Sequence, residues 1–413
     1  MRRPRVVITG MGVVAANGIG LPAFWDSLVR GKSGVRPITL FDASKHFLRI
    51  AGEVKGFDFS SMVDMPMKAK RLGRHTQFAI ATTDMAIRDA GLDRETMKKS
   101  GSIPITLGVS TCAMELIEAG MHQLFDHGPH RFSPYIVSYA LPHGITHTLL
   151  EYLGVDADGR TVSSACQSGA EAIAQSYEFI RKGQAQIAIA GGADAPLTPF
   201  TVAAFCAGGL RPSEYNEDNP EGASRPFDLK RTGGILAEGG GVLVLENLDH
   251  AKARGARIYA EVRGCASQAD APGGLPVSGL ANTMKMAMCN SRMYPHDIDY
   301  INAHGPSEPV MDKVETDMIK NVFGDHARSI PVSSIKGVSA NALSAQGPMQ
   351  LIAATLALGS GEIPPTANLE FPDPECDLDY VPRTARKVNI DTALINAHGL
   401  GGGNTTIVIS SLE

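Results

Sequence analysis

The sequence predicts an α/β protein: a mixed or largely parallel sheet, covered by helices on both faces, in two similar halves. Short runs of β-branched and apolar residues alternate with longer stretches of helical periodicity, the order expected of strand–helix–strand units. The strand runs are apolar throughout, as in strands buried on both faces, and many end in glycine-rich turns. The same order starts again near residue 256, so we divide the chain into halves spanning residues 1–250 and 251–413.

Each element is predicted from its own periodicity and from the residues that flank it. In the first half, apolar runs predict strands at 5–9, 50–54, 103–109, 186–190 and 242–245, and helical spacing predicts helices at 21–30, 67–90, 111–125, 145–153 and 168–180. Gly10 predicts an immediate turn after the first strand, and Gly91 is the predicted C-cap of helix 67–90. In the second half, strands are expected at 299–303, 331–334, 393–397 and 405–409, and helices at 312–323 and 345–358. The segments 188–192 and 394–399 are candidate equivalent positions of an ancient duplication.

Composition excludes several classes of protein. The 413 residues carry a net charge of −5 with acids and bases interspersed, which indicates no nucleic-acid-binding surface. The start is basic but lacks the long apolar core of a signal peptide, and no apolar run is long enough to span a bilayer. The six cysteines are scattered and form no CxxC pair or zinc-like cluster, so we expect no metal site. The simplest interpretation is a cytoplasmic protein with reduced thiols.

Cys166 lies at the turn between a predicted strand, which ends at Ser163, and the predicted helix at 168–180. Free backbone N–H groups and the helix dipole at such a position favour the thiolate, so a lowered pKa is expected for this thiol. The small residues on both sides allow a sharp turn that presents the sulfur to a substrate. The alternative is a buried structural cysteine, which is the commoner role of a cysteine inside a protein.

Three predicted strands of the second half end in polar residues with glycines nearby. These segments are Asn302-Ala-His304-Gly305, residues 333–341 with Lys336 and Asn341, and Asn396-Ala-His398-Gly399. Active sites of open α/β sheets lie at the carboxyl ends of strands, so one pocket is expected to collect Cys166, His304, Lys336 and Asn341. Such a set suits acyl transfer through a thioester on Cys166, with N–H groups holding a developing oxyanion or enolate. A Cys–His hydrolase would use similar parts, so these residues indicate the reaction class and leave the acyl acceptor open.

A series of short motifs in order along the chain resembles the β-ketoacyl-acyl carrier protein synthases. The motifs are Val7-Ile-Thr-Gly-Met-Gly12, Ser163-Ser-Ala-Cys-Gln-Ser-Gly169, Ala190-Gly-Gly-Ala-Asp194, Arg225-Pro-Phe-Asp228, Asn302-Ala-His-Gly305, Ser333-Ser-Ile-Lys336, Pro364-Pro-Thr-Ala-Asn368 and Gly399-Leu-Gly-Gly-Gly-Asn404. The chain looks like the KAS II type, which includes type II polyketide and nodulation-factor ketosynthases, over residues 6–409. The resemblance implies a thiolase fold, layered αβαβα, a dimer, and decarboxylative Claisen condensation without a metal or an organic cofactor. It implies that Cys166 is the acylated nucleophile, His304 the first active-site histidine and Lys336 the active-site lysine.

The chain departs from the family pattern at several site positions. Asn341 stands five residues after the lysine, where the family has its second histidine, and we expect it to take over that role. Leu400 replaces the aromatic gate, and His398 stands where phenylalanine is usual. A Cys–His–Asn set resembles KAS III and chalcone-synthase-like enzymes, so condensation is still expected, on an unusual acyl chain in specialised fatty-acid or polyketide synthesis. The expected substrate-binding residues are Thr111, which aligns with a position that limits chain length or else serves as a helix N-cap, together with Phe205, His398 and Leu400.

The expected partners are an acyl carrier protein and a second subunit. By resemblance, a basic patch docks the acidic carrier protein, and its residues are Lys68, Lys70, Arg71, Arg74 and Arg131. The second subunit is either a copy of this chain or a related ketosynthase-like chain. Two rival functions stay open: an acyltransferase of the same fold that does not decarboxylate, and a non-catalytic partner in a ketosynthase heterodimer. The presence of Cys166, His304 and Lys336 argues against the non-catalytic partner, which can lose them without harm.

Overall fold

The computed structural model describes residues 3–65, 71–209 and 218–412, with the side chains of Arg94 and Arg131 outside that description. Ten strands form one continuous mixed sheet in the order β11-β10-β14-β15-β9-β1-β8-β7-β5-β6, and β2 pairs with β1 at its side. The strands are β1 Val6–Ala15, β2 Gly18–Ile19, β3 Arg36–Pro37, β4 Ile50–Ala51, β5 Ile103–Gly108, β6 Ala157–Val162, β7 Ile187–Asp194, β8 Gly239–Asn247, β9 Ala260–Ala269, β10 Tyr300–Asn302, β11 Val332–Ser333, β12 Glu362–Ile363, β13 Arg386–Lys387, β14 Thr392–Gly399 and β15 Gly403–Ser410.

The helices are α1 Leu21–Val29, α2 Phe59–Met62, α3 Arg74–Asp89, α4 Arg94–Lys99, α5 Met114–His127, α6 Ile136–Tyr139, α7 His143–Leu153, α8 Ser168–Arg181, α9 Pro199–Ala207, α10 Leu248–Ala253, α11 Leu280–Ser291, α12 Pro309–Phe323, α13 Lys336–Ser339 and α14 Gln346–Ser360. Within the described parts of the chain, no helix combines the length and the apolar composition needed to cross a membrane.

The sheet consists of two halves with the same connectivity. In the first half, β5 pairs in parallel with β6 and β7, and β8 pairs antiparallel with β7 and β1. In the second half, β10 pairs in parallel with β11 and β14, and β15 pairs antiparallel with β14 and β9. A short antiparallel contact between β1 and β9 joins the halves. This correspondence makes β7 the counterpart of β14, as expected for the segments 188–192 and 394–399.

Five layers follow from the packing of the helices. Helices α8 and α14 pack against each other and against strands of both halves, where they form the central layer. Helix α3 covers β1, β8 and β7 on one outer face, while α11 covers β9 and β15 on the other. The largest cluster of buried apolar side chains surrounds the central helices and reaches strands of both halves, and two further clusters lie beneath the outer helices. The predicted α/β class and the αβαβα layering are confirmed.

The turn predicted at Gly10 is wrong, because β1 continues without interruption to Ala15. A Cβ atom at Gly10 would lie 2.2 Å from the Ala86 carbonyl oxygen, and one at Gly12 would lie 2.0 Å from that of Thr82. The two glycines therefore serve close packing of α3 against β1, which glycine permits because it has no side chain.

Two predicted helices begin later than expected. Helix α3 starts at Arg74, with Gly73 as its N-cap, whereas the prediction began at residue 67; residues 66–70 lie outside the described part of the chain. Helix α5 starts at Met114 and not at residue 111. Thr111 lies before the helix, where its backbone N–H donates to the Asp194 carboxylate. Helix α11 was missed altogether, and its N-cap Gly279 supplies no side-chain cap that would have marked its start.

Candidate active site

Cys166 lies on a sharp turn between β6 and α8. The residue before it, Ala165, has a φ of 59°, a left-handed backbone conformation that is strained for a residue with a Cβ atom. Neighbouring glycines allow the turn to fit: a Cβ atom at Gly169 would lie 2.2 Å from the Ser344 carbonyl oxygen, and one at Gly399 would lie 3.2 Å from the Cys166 nitrogen. The turn places the sulfur beside the loop that joins β14 to β15, as the prediction of a sharp turn required.

The expectation of a lowered pKa for Cys166 is wrong. Burial raises the pKa of this thiol to about 11, and the nearby Asp194 carboxylate raises it further. Opposing effects come from the backbone N–H of Leu400, from Lys336 and from the residue's own backbone N–H. Helix α8 begins at Ser168, two residues after the thiol, and a dipole at that distance does not overcome removal of the sulfur from water. The same two N–H groups, of Cys166 and Leu400, are the candidate oxyanion hole.

His304 follows β10 and is fixed by hydrogen bonds on its backbone and on its ring. Its backbone N–H and that of Gly305 donate to the Glu315 carboxylate at 2.9 and 2.7 Å. Its Nδ1 accepts the backbone N–H of His398 at 3.2 Å, with the Lys336 ammonium 3.5 Å away. Because Nδ1 accepts these bonds, the neutral ring carries its proton on Nε2. Burial and the charge of Lys336 hold the pKa of His304 well below its usual range.

Lys336 opens α13 directly behind His304, and its side chain is completely buried. The ammonium donates to the His304 carbonyl oxygen and to Gln350 Oε1, the latter at 3.4 Å. Burial lowers the pKa of Lys336 to about 8, against the opposing attraction of Glu315, Cys166 and Asp312. Lys336 therefore positions His304 and supplies positive charge beneath the site, as predicted for a buried lysine.

Asn341 reaches the site from the segment that follows α13. Its backbone is held on both sides, because its N–H donates to Ile235 at 2.8 Å and its carbonyl accepts from Ala237 at 2.9 Å. Its side-chain Oδ1 is buried and has no hydrogen-bond partner among the described residues. A buried amide oxygen without a partner is costly in a folded protein, so this oxygen is held ready for a donor group of a ligand.

A cavity of about 450 Å³ brings most of the predicted residues together. Its lining includes the predicted residues Cys166, Phe205, His304, Asn341, His398 and Leu400. Lys336 lies behind His304, and Leu400 is 58% exposed at the cavity mouth. Thr111 does not line this cavity: its hydroxyl donates to Asp194 Oδ1 at 3.0 Å, and the N-cap of α5 is Ala113, so the alternative role of Thr111 as an N-cap is wrong.

The predicted docking cations fall into three groups. The Arg71 side chain is exposed and its guanidinium lies 4.4 Å from the ring centre of Tyr135. The Arg74 guanidinium instead makes a bidentate pair with the buried Glu238 carboxylate, at 2.8 and 2.7 Å, and also donates to the Val54 carbonyl. This pairing leaves Arg74 unsuited to docking a partner. Lys68, Lys70 and the Arg131 side chain lie outside the described part of the structure.

Sequence reasoning missed the residues that support the site from behind. Glu315 anchors the His304 backbone, Gln350 joins Lys336 to the carbonyl of Asn396 at 3.0 Å, and Asn404 bonds His398 at 2.9 Å. Asn404 belongs to the glycine-rich motif at 399–404, which was a visible signal. Glu315 lies within an ordinary amphipathic helix, where nothing in the sequence distinguishes it from a surface acid.

Comparison with known proteins agrees with this geometry. Residues 3–251 match the family profile "Beta-ketoacyl synthase, N-terminal domain", and residues 259–370 match "Beta-ketoacyl synthase, C-terminal domain". The chain is 39% identical to the "Tetracenomycin polyketide synthase ketoacyl synthase alpha subunit" of Streptomyces glaucescens, over 98% of this chain and 97% of that one. It is 36% identical to "3-oxoacyl-[acyl-carrier-protein] synthase 2" of Synechocystis, over 100% and 99%.

Two solved structures are similar over their whole length. The ishigamide ketosynthase/chain length factor aligns with a TM-score of 0.92 and 31% identity, covering 100% of both chains. A type II polyketide synthase acyl-carrier protein in complex with its ketosynthase contains a chain that aligns with a TM-score of 0.90 and 30% identity, again over 100% of both. The chain therefore belongs to the beta-ketoacyl synthase family and has the thiolase fold. It is a β-ketoacyl-synthase-like condensing enzyme of the acyltransferase class.

Proposed function

We propose that the protein extends an acyl chain held on Cys166 by decarboxylative condensation with a malonyl carrier-protein thioester, in specialised fatty-acid or polyketide synthesis. The observation that carries the proposal is the shared cavity, where the Cys166 thiol and the His304 imidazole meet the Asn341 side chain, whose buried Oδ1 has no partner among the described residues. These are the parts that the reaction needs: a nucleophile that holds the acyl group, and N–H donors that face developing negative charge.

Acyl loading begins with attack of the Cys166 sulfur on the incoming thioester carbonyl. The oxyanion that forms is held by the backbone N–H groups of Cys166 and Leu400, which already face the sulfur. Because burial favours the protonated thiol, the charge of Lys336 and these N–H groups supply the opposing stabilisation of the thiolate. Collapse then expels the carrier-protein thiol, which takes up the proton lost by Cys166.

Malonyl decarboxylation places negative charge on the thioester carbonyl oxygen. The Nε2–H of His304 is the first donor to that oxygen, and the Asn341 amide N–H is the second, in place of a histidine. The electron pair released with carbon dioxide then attacks the acyl carbonyl on Cys166, and the C–S bond breaks. Asn341 is shorter than histidine, so its donor reaches the oxygen from a different position.

The decisive experiment measures carbon dioxide release from malonyl-carrier protein by wild type and by Asn341→Ala, with acylation of Cys166 followed by intact mass. Removal of one oxyanion donor typically costs about 10²–10³ in rate, so Asn341→Ala is expected to slow release by that factor while Cys166 still acylates. Asn341→Asp, similar in size but without the N–H donor, is the matched variant. Its rate of carbon dioxide release is expected to fall as far as that of Asn341→Ala.

Three results would contradict the proposal, wholly or in part. If wild type acylates fully and releases no carbon dioxide with any acyl primer, the protein is the non-decarboxylating acyltransferase. If wild type and Asn341→Ala release carbon dioxide equally fast, the reaction stands but Asn341 has no part in it. If Cys166 does not acylate, the non-catalytic partner is the remaining function.

We further infer that an acyl carrier protein and a second subunit are the partners. The similar solved structures include an acyl-carrier protein in complex with its ketosynthase and a ketosynthase/chain length factor, which supports both. Among the described residues of this chain, β6 is the last strand of the sheet and pairs with β5 alone. Exposed apolar side chains on adjoining segments include Phe125, Val137 and Phe200, a surface that a second subunit would cover. Sedimentation of the purified chain is expected to give a dimer; a monomer alone would indicate a heterologous partner.

The proposed location is the cytoplasm. All six cysteines are free in the structure, including the exposed Cys289, which fits a reducing compartment. Fractionation of the native host, with the protein followed by antibody, tests this location, and recovery in a secreted or membrane fraction would contradict it.

A further inference from the structure

The imidazoles of His304 and His398 are neighbours in the cavity and pack edge to face. Their ring centres are 5.6 Å apart and the ring planes are inclined by 73°. His304 carries its proton on Nε2, because its Nδ1 accepts the backbone N–H of His398. His304 is therefore a hydrogen-bond donor toward the cavity. The hydrogen bonds around His398 fix the opposite arrangement.

The Asp270 carboxylate determines how the Asn404 amide is oriented. Its two oxygens accept the backbone N–H groups of Val277 and Gly279, at 3.0 and 2.7 Å, and Oδ1 also accepts Asn404 Nδ2 at 2.8 Å. Asn404 Nδ2 also donates to the Gly402 carbonyl oxygen at 3.2 Å. A carboxylate and a carbonyl accept only, so the amide nitrogen must face them and the amide oxygen must face the other way.

The Asn404 amide oxygen in turn fixes the tautomer of His398. It lies 2.9 Å from His398 Nδ1, and an oxygen that can only accept requires that Nδ1 carries the proton. The neutral ring then has a lone pair on Nε2, which has no hydrogen-bond partner among the described residues. His398 is 3% exposed and lines the cavity that contains Cys166. The site thus holds a buried proton acceptor in the cavity that also contains the acyl-bearing sulfur.

The electrostatic surroundings keep this acceptor unprotonated near neutral pH. Burial and the positive charge of Lys336 lower the pKa of His398, while Asn404 and the Asp270 carboxylate oppose that change. A neutral imidazole with a free lone pair can remove a proton from an attacking O–H group. Condensation as proposed above has no such step, because the carbon nucleophile is generated by loss of carbon dioxide. The acceptor therefore fits a second reaction of the acyl-enzyme.

We propose that His398 is a general base that allows water to attack the Cys166 thioester, so that the protein hydrolyses its own acyl-enzyme when no extender is bound. Water oxygen bonds to the acyl carbon while His398 Nε2 takes a water proton, and the oxyanion is held by the N–H groups of Cys166 and Leu400. The C–S bond then breaks, and the sulfur takes the proton back from His398. The products are a carboxylic acid and the free thiol. This inference rests on acylation of Cys166, which the proposed function also requires.

The experiment loads Cys166 from an acyl-pantetheine thioester, removes excess thioester, and follows loss of the acyl group by intact mass in ¹⁸O-labelled water without malonyl substrate. Wild type is expected to release acid that carries one ¹⁸O, at a rate that is level near neutral pH and falls in acidic solution, where His398 becomes protonated. Positioned general bases typically contribute a factor of about 10²–10⁴, so His398→Gln is expected to deacylate at least about 10²-fold more slowly. Asn404→Leu, which removes the group that fixes the tautomer, is the second variant and is expected to lose part of the rate and to alter the pH profile.

The extent of Cys166 acylation in each variant reports whether the site is folded. A wild-type acyl-enzyme as stable as the free thioester would overturn the hydrolysis, and so would equal deacylation rates in wild type, His398→Gln and Asn404→Leu. Carbon dioxide release from malonyl-carrier protein, measured on the same preparation, separates this outcome from failure of the condensation. Absence of acylation in wild type would overturn both proposals.

Discussion

Replacing Lys336 by methionine tests the electrostatics of the site through protein stability. The ammonium lies behind His304 and is fully buried, with the His304 carbonyl and Gln350 as hydrogen-bond partners. Burial lowers its pKa from 10.5 to about 8, which means that removal from water outweighs the attraction of Glu315 and the other acids nearby. The charged lysine therefore opposes folding, and Lys336→Met removes this unfavourable contribution.

The size and sign of the effect follow from proton linkage. The interval between 10.5 and about 8 corresponds to about 3 kcal/mol, because one pKa unit is about 1.4 kcal/mol. Between these pH values the unfolded chain binds a proton that the native protein has released, so this contribution to stability rises with pH. Below pH 8 the full penalty is present. The free energy of unfolding of wild type, minus that of Lys336→Met, is thus expected to rise by about 1.4 kcal/mol per pH unit from about 8 toward 10.

Urea unfolding at fixed protein concentration, at four pH values between 7 and 10, measures this difference. Both proteins carry Cys166→Ala, because the thiol titrates at the upper end of the same range and is coupled to the lysine. Lys252→Met is the matched control at an exposed position, and its difference from wild type is expected to stay level across the range. A level difference for Lys336→Met would refute the reasoning. A difference that falls with pH would mean that Glu315 stabilises the ammonium more than burial penalises it.

Three further predictions concern the thiol, the acyl chain and the carrier protein. The rate of Cys166 alkylation by iodoacetamide is expected to rise about tenfold per pH unit from pH 7 to 10, since the pKa of the thiol is about 11. A plateau of the rate by pH 8 would show that the pKa of the thiol is low after all. Thr111 does not line the cavity of the single chain, and the family resemblance puts it at the far end of the acyl pocket near the dimer interface. Thr111→Phe is therefore expected to shorten the longest accepted acyl chain and to leave acetyl loading intact, measured by intact mass with a series of acyl thioesters. An unchanged series would leave Thr111 only its hydrogen bond to Asp194. Arg71→Glu is expected to raise KM for carrier-bound acyl groups and to spare small thioesters, with Lys252→Glu as the control. Equal losses on both substrates would indicate misfolding.

The sequence was sufficient to predict which residues meet in the cavity. Cys166, His304 and Asn341 each follow a strand or a short turn beside the carboxyl edge of the sheet, and neighbouring strands bring such positions together whatever the details of packing. Lys336 was expected to line the same pocket, but it lies behind His304 and does not line the cavity. The bounds of helices and strands were less predictable, because contacts between distant segments decide them. Thr111 bonds to Asp194 and lies outside α5. Strand β1 continues through Gly10, where α3 packs directly on it.

Sequence reasoning predicted the protonation state of Cys166 wrongly. The thiol of Cys166 was expected to have a low pKa from its place near a helix start, which is a local property readable from the chain. Its raised pKa instead reflects burial and Asp194, which comes from another strand. Likewise, the tautomer of His398 depends on Asp270, which lies 134 residues before Asn404. The pKa and the tautomer of a buried group depend on which segments of the chain surround it, and only the fold determines those segments.

Two of the departures from the family motifs, Asn341 and His398, each add a hydrogen-bond acceptor to the cavity. Asn341 keeps an N–H donor where the family has a second histidine, but it also brings an amide oxygen that accepts. His398 stands where the family usually has a hydrocarbon ring, and Asn404 turns its free lone pair into the cavity. His304, held by Lys336, remains a side-chain donor without an accompanying acceptor. The cavity has therefore gained capacity to accept protons at the position of the acyl thioester, and water or another O–H group bound there would find a base that a phenylalanine cannot provide.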